Sequence, residues 1–136
     1  MTTQKYLEQV EKYNRMIKNK MDDVGKLHSM ATSTTVRPKD VNIQKTSDKD
    51  KIGTVVVKIV EMEKEIDALI DKRSDIINQI DGIEDLKMYE VLTQKYVKNI
   101  PIDSISVEKI NSTRQIRRLL KSAEIQFEKL YGHLYL

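Results

Sequence analysis

The sequence predicts an all-α protein, a long coiled-coil-like helical hairpin followed by a small C-terminal helix-turn-helix. Three observations carry this. Two long stretches repeat apolar residues every seven positions, and shorter helical stripes follow Asp81-Gly82. The composition is 39% hydrophobic and 33% charged, with one Phe, no Trp, two Pro and four Gly. Such a balance suits helices with solvated outer faces better than a sandwich or barrel.

The first element is a long helix over residues 1–31. Val10, Ile17, Val24 and Ala31 form one heptad line, and Tyr6, Tyr13, Lys20 and Leu27 form the second. Lys20 interrupts this seam. From Thr32 to Asp50 the chain turns to Thr, Ser, Asp and Lys with Pro38 and no period, and it reads as a flexible linker.

The second helix has the strongest period. Ile52, Ile59, Ile66, Arg73 and Ile80 alternate with Val55, Met62, Leu69, Ile76 and Ile83, with Arg73 as the single break. An unpaired buried charge costs several kcal/mol, roughly, so Lys20 and Arg73 are expected at seam edges or beside acidic partners. Residues 1–83 are therefore expected to form a hairpin or coiled-coil oligomerisation region, closed within one chain or between two. Residues 84–136 are expected to be a separate domain.

In that domain Leu86, Tyr89, Leu92 and Tyr96 define an amphipathic helix over Asp85–Asn99, stopped before Pro101. Ile102, Ile105 and Ile110 mark a short second helix. Asn111-Ser112 breaks it, and Ser112 with Gln115 forms a capping-box pattern opening a third. Ile116, Leu120, Ala123, Phe127, Leu130 and Leu134 are its expected apolar face.

Charge points to a partner. Met1–Ala31 carries +2 and Thr32–Asp50 carries +1, whereas Lys51–Asp85 carries −4 and Leu86–Leu136 carries +4. A basic end on an acidic body is the usual footprint of nucleic-acid binding. Arg114, Arg117, Arg118 and Lys121 lie away from the Ile116–Leu120–Ala123 stripe, with no acidic residue between Asn111 and Ala123. A helix entering the major groove needs cations for phosphate, Arg for guanine and Gln for adenine. Thr113, Arg114, Gln115 and Arg117 are the expected base readers. Arg118, Lys121, Lys95 and Lys98 are expected to touch phosphate. Four basic residues on one helix are also what a merely solvated face presents.

Tyr89–Tyr131 resembles the sigma-factor region-4-like domain of small phage late-gene regulators of the ArpU and RinA type. The points of resemblance are Tyr89, Leu92 and Tyr96, then Ile102 and Ile105, then Ser112, Arg114, Ile116, Arg118, Ala123 and Phe127. That family's pattern places a small residue at the turn, where this chain has Lys109-Ile110-Asn111. The resemblance implies promoter binding in a phage or prophage, with contact to RNA polymerase or another host protein. A cytoplasmic homodimer on double-stranded DNA is the expectation. The alternatives are a helical protein-interaction module, such as an assembly factor or an inhibitor of a host enzyme, and a small-terminase-like DNA-packaging protein.

Other chemistry is sparse. There is no Cys, and the two His are remote from each other at positions 28 and 133, so no metal site, cofactor or catalytic dyad is expected and the chain is not read as an enzyme. The acidic set Glu61, Glu63, Glu65, Asp67, Asp71 and Asp75 falls on heptad flanks and reads as solvating. The glycines stand singly, and no phosphate loop is present. The Tyr residues at 6, 13, 89 and 96 follow the seam and core stripes, which favours packing over base stacking. The chain starts without a signal pattern, and no stretch is long and apolar enough to span a membrane.

Overall fold

The computed structural model describes residues 1–36 and 45–136. The protein is all-α, with two long helices, α1 (Thr3–Val36) and α2 (Lys45–Asp81). Then come α3 (Leu86–Leu92), which runs on as a π-helical turn over Thr93–Val97, a single 3₁₀ turn at Ile102–Ser104, α4 (Thr113–Tyr131) and a last 3₁₀ turn at Gly132–Leu134.

Both long helices reach into the Thr- and Ser-rich stretch read as a linker over residues 32–50, for the backbone is helical to Val36 and again from Lys45. The rest of that expectation, residues 37–44, lies outside the described residues. Extending an established helix costs only the propensity deficit of each Thr or Ser, a few tenths of a kcal/mol, roughly, with no new nucleation.

Contacts group the chain into two compact units, residues 15–71 and residues 1–14 with 72–136. The expected boundary at residue 83 therefore falls inside a unit. Leu7 and Val10 of α1, Ile76 and Ile80 at the end of α2 and Ile83 just beyond it share one core with Val91, Leu92, Ile116, Leu120, Ala123 and Phe127. The heptad lines supply apolar positions to that core, and without them α3 and α4 would have little to cover.

In this larger unit α1 and α2 run antiparallel, since Tyr6 Oη donates to Gln79 Oε1 at 2.7 Å and Arg73 Nη1 to Asn14 Oδ1 at 2.8 Å. Arg73 is thus half-buried against an amide rather than a carboxylate. Tyr6 stacks on Tyr135, with ring centroids 4.1 Å apart, and Thr3 Oγ1 lies 2.9 Å from Tyr135 Oη. The α4 stripe ends sooner than its period suggests. Leu130 is 41% and Leu134 57% exposed, and Phe127, Tyr131 and Tyr135 form the aromatic layer instead. Similarly, Leu86 is 65% exposed at the start of α3, and Val91 takes the buried place.

In the other unit, Ile17 on α1 and Ile59, Ile66 and Leu69 on α2 are buried, and Lys20 meets Glu65 at 2.7 Å. That pair answers the seam's Lys20 with an acidic partner, but it is exposed and contributes roughly 0–1 kcal/mol.

Candidate nucleic-acid interface

The candidate residues lie mostly on α4, whose position depends on how α3 and the connector end. Asp85 caps α3, accepting from the Met88 N–H at 3.0 Å. Asn99 ends the helical run with φ 53, and the Ile100 N–H returns to the Gln94 carbonyl at 2.8 Å. This is the left-handed stop for which Asn is a common residue.

The short second helix expected over Ile102–Ile110 does not form beyond the turn at Ile102–Ser104. Ile105 and Val107 are both buried, an alternation of two that points the same way only in extended chain. The Gln94 amide clasps the intervening residue, donating to Ser106 O at 2.8 Å and accepting from Ser106 N at 3.2 Å. A tight turn follows, closed by the Ile110 N–H on Val107 O at 3.1 Å, with Lys109 at φ 66. Two β-branched residues and a satisfied extended backbone therefore win over a helix. The arrangement is helix, clasped connector and helix, in place of three packed helices.

The capping box forms as its spacing predicts. Ser112 Oγ accepts from the Gln115 N–H at 3.2 Å, and Gln115 Oε1 accepts from the Asn111 N–H at 3.0 Å. That second bond alters Gln115's expected role, because bidentate pairing to adenine needs the same oxygen. Thr113 is half-buried in the first turn. Arg114, Arg117, Arg118 and Lys121 are all exposed, and none makes a hydrogen bond or ion pair among the described residues. From Arg114 to Lys121 is seven residue steps, about 10.5 Å along the axis, close to the roughly 12 Å width of the major groove. Lys95 is half-buried and Lys98 exposed at the end of α3, and no bond joins either to the α4 set.

Three further residues, Glu124, Gln94 and Lys109, shape this region. Glu124 is only 8% exposed on the inner side of α4; it accepts a short hydrogen bond from Tyr96 Oη and a longer one, 3.4 Å, from Gln4 Nε2. It therefore locks α4 to α3 and α1, an acid inside an apolar stripe with no sequence signal beyond its i+4 spacing from Leu120. Burial, reinforced by the bond to Glu124, raises the Tyr96 phenol far above its usual range. Tyr6 and Tyr135 are also raised, chiefly by burial. Gln94 and Lys109 set the connector, as described above.

Beside the cations lies an open groove of about 730 Å³, lined by Ile102, Arg117, Leu120, Lys121, Ile125 and Glu128 among others. No group of three or more His, Asp or Glu is placed to hold a metal among the described residues, and none of their helices is long and apolar enough to cross a membrane. The chain matches no protein-family model, no curated protein and no solved structure.

Proposed function

We propose that the protein is a sequence-specific DNA-binding transcription regulator of phage or prophage type, reading double-stranded DNA through the exposed face of α4. The single observation that carries this reading is the set of four exposed cations, Arg114, Arg117, Arg118 and Lys121, whose side chains have no hydrogen-bond or ion-pair partner among the described residues. Cations left free on a rigid helix suit phosphates, because binding releases the DNA's counterions and sacrifices no internal ion pair. Arg114 and Arg117 combine base reading with neutralisation of phosphate charge, and Arg118 and Lys121 touch phosphate alone. In this reading Gln115 serves as a cap. Two copies of the chain present two α4 helices to two half-sites, and RNA polymerase is the candidate protein partner.

The test is fluorescence anisotropy on DNA from around the protein's own gene, against scrambled DNA of equal length, over a range of salt. Tight binding to one fragment, with log affinity falling linearly in log salt, is the expected result. No binding at low salt would sink the reading. The groove beside Arg117 and Lys121 favours a second one, a helical protein-interaction module whose partner is an acidic amphipathic segment. Ile125→Asn separates the two: a polar side chain in that groove weakens the seating of a peptide's apolar face and spares phosphate contacts.

A further inference from the structure

We infer that the outer side of the α1/α2 pair in the unit of residues 15–71 is a homodimer interface. A valine ridge on α2 of one copy seats on a glycine-floored groove on α1 of the other, and the reverse contact forms at the same time. The inference concerns assembly alone and stands whether or not α4 binds DNA.

The ridge is a second apolar stripe on α2, separate from its seam. Gly53, Val56, Val57 and Val60 recur at i, i+3, i+4 and i+7, and the three valines are 48%, 56% and 45% exposed. β-branched residues gain nothing from solvent-facing helix positions, where their propensity is among the poorer ones. The groove lies on α1, where Met21 is 52% exposed and a Cβ built on Gly25 would meet nothing within 4 Å. Met21, Asp22, Gly25, Lys26, Ser29 and Met30 line it. Glycine in mid-helix costs roughly 1 kcal/mol against Ala, and no close contact among the described residues explains Gly25.

Position and charge identify the occupant as a second copy. The Lys20–Glu65 pair sets the register of the two helices. Parallel helices in that register would leave Val36 and Lys45 about 54 Å apart, beyond the roughly 30 Å that the connecting residues can span, so the pair is antiparallel. Gly25 then lies level with Val60. At about 100° per residue the ridge is turned about 140° from the α2 seam and the groove about 110° from the α1 seam, and in antiparallel helices these turns lead to the same side. A two-fold axis parallel to the helices places Val60 of each copy on Gly25 of the other, an isologous contact. Each new helix pair is also antiparallel and opposite in charge. Arg15–Ala31 has four basic and two acidic residues, Ile52–Asp71 two basic and five acidic.

Sedimentation equilibrium on the full chain should show a dimer. Val60→Lys adds a cation opposite the basic helix and should weaken the dimer at least about tenfold. Gly25→Leu should do the same by filling the groove, with helix content unchanged or higher, since Leu is the better helix former. The chain has no Cys, so mixing Gly25→Cys and Val60→Cys copies should give a disulfide-linked heterodimer more readily than either alone. A monomeric wild type, a ring of eight or more copies, a dimer that survives both substitutions, or cross-linking only between like variants would each overturn the inference.

Discussion

Arg117→Ala is the sharpest perturbation of the α4 face. Arg117 is exposed and makes no hydrogen bond or ion pair among the described residues, so its loss should change folding stability by no more than about 0.5 kcal/mol. Its effect on binding follows from the number of cations. Four phosphate neutralisations give a slope of log affinity on log salt near −3.6, and three give about −2.7. Raising salt from 50 to 200 mM should then weaken the wild type about 150-fold and the variant about 40-fold. If Arg117 also reads guanine through two bonds, preference for the specific fragment should fall by about 1 to 3 kcal/mol as well. Anisotropy titrations on specific and scrambled DNA at four salt concentrations measure slope and preference together. Lys129→Ala, an exposed lysine two turns beyond the cluster, is the control and should leave the slope unchanged. An Arg117→Ala slope equal to wild type, or an equal effect from Lys129→Ala, would refute the assignment of this face. A loss of stability would refute the premise that Arg117 is idle in the fold.

Tyr96→Phe removes a donor from the buried Glu124 and should cost about 1–3 kcal/mol in urea unfolding at pH 7. Because burial raises the Tyr96 pKa in the folded state, the unfolded phenol ionises first; the stability it contributes is complete below pH 10 and should decline above it by about 1.4 kcal/mol per unit. Tyr6 and Tyr135 add to the decline, and Tyr96→Phe should flatten it, with a slope as steep as wild type counting against the burial account. Lys109→Gly relieves the residue at φ 66 and should raise the melting free energy by up to about 1 kcal/mol; no gain would mean that the turn holds Lys109 without strain. Gly82→Ala drives a Cβ into Tyr131 Oη and should destabilise by about 1–3 kcal/mol, less in a Tyr131→Phe background, as a double-mutant cycle would report.

The long helices were legible because each heptad position answers to one physical demand, burial on a single face, repeated over several turns. The capping box was legible for a similar reason, since Ser112 and Gln115 act on backbone three residues away. The connector was not. Ile102, Ile105 and Ile110 suit a helical spacing, and the choice between helix and extended chain was decided by Gln94, twelve residues earlier in the chain. Local pattern carries no record of such a clasp. Glu124 failed to register for the same reason, because its partners Tyr96 and Gln4 lie 28 and 120 positions away. Of the site, the cations could be read directly, as exposure off an apolar stripe is a periodic property. That Gln115 already spends its side-chain oxygen on Asn111 is a matter of geometry.

The stack of Tyr6 on Tyr135 bears on the order in which a newly made chain can fold. Residues 15–71 can find their partners while synthesis is still under way, since the whole unit is contained in one early stretch. The other unit begins with Thr3, Tyr6 and Leu7 yet depends on Phe127 and Tyr135, so its first turns must wait, apolar side outward, until the ribosome has delivered α4. At about 5–20 residues per second that wait lasts about 6–26 s, long enough for a chaperone to matter.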